Sequence, residues 1–212
     1  ARKKSTQGFQ KHMITFRNPD VIVEGKDGDT VFPQVILTNS HDGKNAFQFQ
    51  CGMYRLVCSN GLVIADAEFG KMKIRHMGYD FEALRVLMNE MVEELPLTVE
   101  SMNKFKQTEL SINQKYDLAR KALETRFKAL EHQKIDQTFK IDLDKLLAPV
   151  RKADKGNDLW SVFNVVQEKI VEGDFEYISG AKLRKARKIK NFKQDLDVNQ
   201  KLFSIAKEFA MA

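Results

Sequence analysis

Cysteine is almost missing from this chain, with two residues, Cys51 and Cys58, in 212. Such scarcity excludes a disulfide-stapled scaffold and fits a reducing cytoplasm. Long apolar runs are missing as well: none approaches the ~18 residues that a membrane span requires, so no membrane partner is expected. The first eight residues are basic and polar and lack the apolar stretch of a secretory leader. They also lack an initiating Met, as a fragment or a processed product would. Neither GxxxxGK[ST] nor GxGxxG follows a strand and opens a helix, and no GxSxG elbow or kinase signature occurs. Nucleotide hydrolysis is therefore disfavoured, and no cofactor is implied. No internal repeat or low-complexity tract is present.

What remains is an ordinary globular composition, 42% hydrophobic and 30% charged, in a chain long enough to bury a sizeable core. The expectation is one domain over residues 1–212. Its charge is unevenly placed. Residues 1–96 carry 12 Lys and Arg against 12 Asp and Glu, so the whole excess of +6 falls on residues 97–212, with 23 against 17. Within that half, Lys182, Arg184, Lys185, Arg187, Lys188, Lys190 and Lys193 fall in twelve residues with no acid among them.

The period of the apolar residues changes along the chain. Residues 11–17, 21–23, 31–38, 46–51, 55–58, 62–65 and 71–76 read as strands. They are separated by turn formers such as Asn18-Pro19-Asp20, Lys26-Asp27-Gly28-Asp29 and Ser59-Asn60-Gly61. They predict an antiparallel meander of about five or six strands. From residue 79 the period becomes helical. One helix ends at Pro96, another starts at Thr98, and a third covers residues 109–130. A short amphipathic turn pair spans 142–150. Asp158 is placed to N-cap a helix over 159–171 that Gly173 closes, and a last helix covers 197–209. The predicted fold is α+β, a sheet from 11–77 packed against helices from 79 onward.

Several segments carry a further signal: GFQKHMITFR near the start, LTNSHDGKNAFQF, GMYRLVCSNGLV, KIRHMG, DLWSVFNVVQEKIVEG and DVNQKLFSIAKEFA. Together they resemble, in order along nearly the whole chain, the phage and plasmid family called domain of unknown function nine-three-two. The charged stretch 109–140 lies outside the match. The resemblance implies a mobile-element origin and a cytoplasmic setting in a bacterial host, and it implies no activity.

Three constellations bear on function. In NSHDG, His41 can act as a base with Asp42 as orienter, or the five residues form an Asx-type turn at a hairpin. His41, Cys51, Cys58 and His76 are zinc-ligand types but lack ligand spacing, so no metal and no catalytic residue is assigned. Arg55, Arg75 and His76 sit on neighbouring strands, where a charge is either paired with a carboxylate such as Asp66 or displayed on the sheet. If displayed, they would join Lys71 and Lys73 in a shallow anion surface with His41 and Asp42 nearby.

The sharpest feature is AKLRKARKIKNFK, residues 181–193. Its cations can neutralise phosphates while Phe192 or Tyr177 stacks on a base, whereas the bland reading is a solvated face. Like charges this dense repel one another, which favours a polyanion partner. The expected function is non-catalytic nucleic-acid binding, weakly favouring single-stranded DNA and its annealing in replication or recombination. The alternatives are a module that docks an acidic host defence enzyme, and a metal-dependent enzyme using His41, Asp42 and His76. The helix over 109–130 could also support a homo-oligomer.

Overall fold

A computed structural model describes residues 2–6, 11–17, 22–24, 29–40, 47–55, 61–62, 72–74, 81–127, 139–179 and 182–211, for some of them the backbone alone. The arrangement is α+β, with antiparallel strands in the N-terminal half and mainly helices in the C-terminal half. Contacts divide the chain into two compact units, Ala1–Ser101 and Met102–Ala212.

The first unit holds seven strands: β1 (Arg2–Thr6), β2 (Lys11–Arg17), β3 (Val23–Glu24), β4 (Thr30–Ser40), β5 (Phe47–Arg55), β6 (Gly61–Leu62) and β7 (Met72–Ile74). Their order is β1-β2-β4-β5-β6, with β3 also on β4 and β7 also on β5. This sheet is larger than the meander expected from the sequence. The difference includes β1, whose Arg-Lys-Lys-Ser-Thr run has no apolar alternation and takes its structure from pairing with β2. Pro33 falls between the pairing of β3 at Thr30 and Val31 and that of β2 from Gln34 onward, a position where a missing N–H costs least. Val31, Ile36 and Met53 are buried here.

The register also settles the fate of Arg55. It pairs with Val31 across the β4–β5 ladder, which brings it beside Asp29 just ahead of β4. Arg55 Nε donates to Asp29 Oδ1 at 2.5 Å, and Arg55 is only 1% exposed. Arg55 is therefore a buried, carboxylate-paired group and not part of a displayed sheet face. Its partner among the described residues is Asp29, two residues before the cross-strand position, while Asp66, the carboxylate the sequence offers, lies outside them.

Helix α1 (Phe81–Gln107) runs through Pro96, where the sequence predicted a break. An internal proline forfeits a backbone bond and costs about 3 kcal/mol. Met102 and Phe105, beyond the proline, are fully buried in the second unit, which offsets that cost.

The second unit adds α2 (Ile112–Arg126), β8 (Phe139–Ile141), α3 (Leu143–Leu147), a 3-10 turn at Lys152–Asp154, α4 (Leu159–Glu172), β9 (Glu176–Ser179), β10 (Lys182–Lys185) and α5 (Phe192–Met211). Helix α2 begins later than its apolar pattern suggests, because Ser111 and Gln114 form a reciprocal capping box. Helix α4 is the centre of the unit, with nearly every side chain buried, and Asp158 and Gly173 cap it as the sequence predicts. Phe105, Phe163 and Phe203, from α1, α4 and α5, meet with ring centroids 5.3–6.3 Å apart. Two buried amides of α4 find partners: Gln167 donates to Asn199 Oδ1 at 2.7 Å, and Asn164 to Trp160 O at 2.7 Å. Among the described residues, no helix is long and apolar enough to cross a membrane.

Candidate nucleic-acid interface

The basic segment is shaped by the turn that precedes it. Helix α4 stops at Gly173, whose φ of 72° lies in the left-handed region that glycine adopts freely. Backbone N–H groups of Gly173 and Asp174 both donate to Lys169 O, at 2.9 and 3.1 Å, and the chain reverses into β9. The hairpin β9–β10 and the short β8 form a three-stranded antiparallel sheet in the order β10-β9-β8. Sequence periodicity missed all three strands, because four or fewer residues cannot establish an alternation.

After β10 the chain runs back along its own turn. Ala186 N donates to Phe175 O at 3.0 Å and Ile189 N to Val171 O at 2.9 Å, so Ala186 and Ile189 are buried. The backbone of Arg187 passes so close to Gly173 that a Cβ there would lie 2.4 Å from the Arg187 carbonyl carbon. Arg126, at the end of α2, clamps the same place. Its Nη1 donates to Ile170 O and its Nη2 to Arg187 O. Its guanidinium also lies over the Phe175 and Phe127 rings, 5.4 and 5.8 Å from their centroids. Burial pushes the Arg126 pKa below its ordinary value, while Tyr177 acts in the opposite direction.

Held this way, the segment divides its residues sharply. Lys182, Leu183, Arg184, Lys185, Arg187, Lys188 and Lys190 are exposed. Lys188 Nζ meets Glu172 Oε1 at 2.5 Å. Among the described residues Lys182, Arg184, Lys185, Arg187 and Lys190 make no ion pair. Of the apolar residues interspersed in the segment, Ile189 belongs to the core at 7% exposure, whereas Leu183 is 65% exposed. Tyr177 packs its ring on Phe127, 5.2 Å between centroids, which makes it part of an aromatic cluster with Phe175. Phe192 and Lys193 open α5, and their side chains lie outside the described residues. His41, Asp42, Arg75 and His76 lie outside them too, and so does Asp66. Among the described residues no cluster of His, Cys, Asp and Glu could hold a metal ion.

Beside the hairpin runs a groove of about 660 Å³, which the sequence did not reveal. Lys140, Lys145, Lys169 and Lys185 line it, together with Ile178 and Leu183. Asp142, Asp174 and Glu176 contribute carboxylates. Lys169 is the unusual member, 9% exposed, with its ammonium donating to Lys145 O near the end of α3. One signal for it was legible: Lys169 falls four residues after Val165 and three after Val166, on the buried stripe of an apolar helix.

Residues 1–203 match the family model described as Domain of unknown function (DUF932). The chain is 30% identical over 208 residues to the UPF0380 protein YfjQ of Escherichia coli (strain K12), covering 92% of this chain and 67% of that protein. It is 28% identical over 200 residues to the UPF0380 protein YafZ of the same strain, with the same two coverages. No solved structure matches.

Proposed function

This chain belongs to the DUF932 family, and we propose that it is a non-catalytic nucleic-acid-binding protein of a mobile element, with the β9–β10 hairpin and the residues after it as its contact surface. One observation carries the reading. Five cations, Lys182, Arg184, Lys185, Arg187 and Lys190, are exposed and unpaired among the described residues, on a backbone fixed by Arg126 and Gly173. A solvated stretch that served only solubility would need no such clamp, and its charges would be free to move apart. A backbone already held in place spares phosphate binding the cost of ordering the chain and leaves only that of the side chains. The charge carries no base specificity, so binding by this surface is expected to be indifferent to sequence.

The test is a fluorescence-anisotropy titration of labelled single-stranded and duplex oligonucleotides at about 50 and about 200 mM salt. If all five cations engage phosphates, counterion release predicts an affinity loss of roughly 100- to 500-fold between those conditions. Replacing Lys182, Arg184 and Lys185 together with Ala should weaken binding to every sequence and flatten the log–log salt slope by about two to three. No binding at the lower salt would sink the proposal.

A further inference from the structure

The groove beside the hairpin has a composition that phosphate neutralisation alone does not require. Ile178 and Leu183 face each other directly across the β9–β10 ladder and are 39% and 65% exposed. Lys140 stands opposite Ile178 on the other side, on β8, and Lys185 follows two residues after Leu183 on the same face. Lys145 and Lys169 line the groove as well. Lys169 is nine-tenths buried and donates to one carbonyl, while an ammonium carries three donors. Of the three carboxylates, Asp142 is engaged, accepting from Lys145 N at 3.2 Å as the N-cap of α3 and lying 3.7 Å from Lys145 Nζ. Glu176 stands opposite Lys185 in the ladder, and Asp174 also lines the groove. Four ammonium groups against three carboxylates leave an excess of positive charge around an apolar pair, which complements a ligand with an apolar face and an attached anion. About 660 Å³ is the size of a small-molecule site, far below what a duplex needs.

We infer that this groove is a single-strand subsite. It takes one or two unpaired nucleotides, the base against Ile178 and Leu183 and its phosphate on Lys169 and Lys140. The inference deepens the reading given under Proposed function and rests on it. A duplex cannot use the groove, because its base faces are covered by stacking. Nor is β9–β10 a free two-stranded ribbon of the kind that enters a major groove, since β8 pairs with residues 177–179 on its other edge.

The experiment compares fluorescein-labelled oligothymidine with a blunt duplex of equal length on the full chain, at one low salt concentration. The wild-type protein should prefer the single strand by tenfold or more. The double substitution Ile178→Ser/Leu183→Ser, at exposed positions, should cost the single strand roughly tenfold and the duplex far less. Equal affinity for the two forms, or a preference that survives the double substitution, would overturn the subsite and leave the phosphate-binding reading standing. Binding of neither form would overturn both. Poly-glutamate that displaces the strand as well as unlabelled oligothymidine does, at equal charge, would also overturn the subsite, because a groove that selects bases gives a chain of carboxylates no such place. The wild-type preference is read without any variant, so the test does not depend on how the substitutions fold.

Discussion

Each of the two units withdraws an arginine from water, and they do so in opposite ways. Arg55 in the first unit is closed off against Asp29, with both side chains almost wholly buried. Its charge is neutralised by a carboxylate just ahead of the neighbouring strand and presents nothing outward. Arg126 in the second unit is half-buried over two aromatic rings, and the groups it holds are backbone carbonyls, those of Ile170 and Arg187. A carbonyl leaves the positive charge uncancelled, and the chain it fixes is the one that carries the exposed cations. The same residue type thus serves closure in the sheet and presentation in the helical unit. Position in a sequence does not reveal which, because the difference lies entirely in the acceptor.

That contrast can be broken experimentally. The largest effect is expected at the closed pair: Asp29→Ala leaves a buried guanidinium without its carboxylate and should cost about 3–5 kcal/mol of stability in urea unfolding. Adding Arg55→Met to that variant should recover much of the loss, and a double variant no more stable than Asp29→Ala would show that the pair is not closed as described. Arg126→Met should cost about 2–3 kcal/mol by removing two charge-assisted bonds, and should also weaken nucleic-acid binding. Arg126→Lys should restore neither, because one ammonium does not reproduce a planar fork reaching two carbonyls. Recovery with Lys would mean that the charge alone matters there.

Smaller effects sharpen the comparison within the second unit. Gly173→Ala forces a side chain into a left-handed conformation and against the Arg187 backbone, so a loss of more than about 1 kcal/mol is expected. A neutral outcome would remove the close approach from the account. Asp158→Ala removes the cap that accepts from Ser161 N at 2.9 Å and should lower stability by about 1 kcal/mol, read as a fall in the thermal midpoint. At the bottom of the scale, replacing Lys182, Arg184 and Lys185 together with Ala should change stability by no more than about 0.5 kcal/mol per substitution while abolishing most of the salt-dependent binding. A large stability loss from that triple variant would return these side chains to a structural role.

Much of the fold was legible where local rules decide it. Asp158 and Gly173 frame α4 because a capping oxygen and a residue free to take positive φ act within one turn. The strands β2, β4 and β5 were legible as well, from the alternation over 11–17 and 46–51 and the β-branched run over 31–38. Pro96 misled, because the cost of a helical proline is local while the burial of Met102 and Phe105 that overrides it is not. The three short strands around the basic segment were invisible to periodicity, and with them the groove. Lys169 alone could have been caught, by asking why a lysine stands on the apolar stripe of a buried helix.

The sequence by itself determined where the charge lies, the passage from strands to helices, the caps of α4 and the family. All of these follow from residue types read over one or two turns or from their order along the chain. Only the tertiary structure decided which charges are spent and which are offered: Lys188 meets Glu172, Arg55 meets Asp29, and Lys182, Arg184, Lys185, Arg187 and Lys190 meet no partner among the described residues. It also turned Ile189 inward and Leu183 outward within seven residues of each other. The reason is that an ion pair or a buried face is made by groups distant in sequence, and no local pattern records which of them will meet.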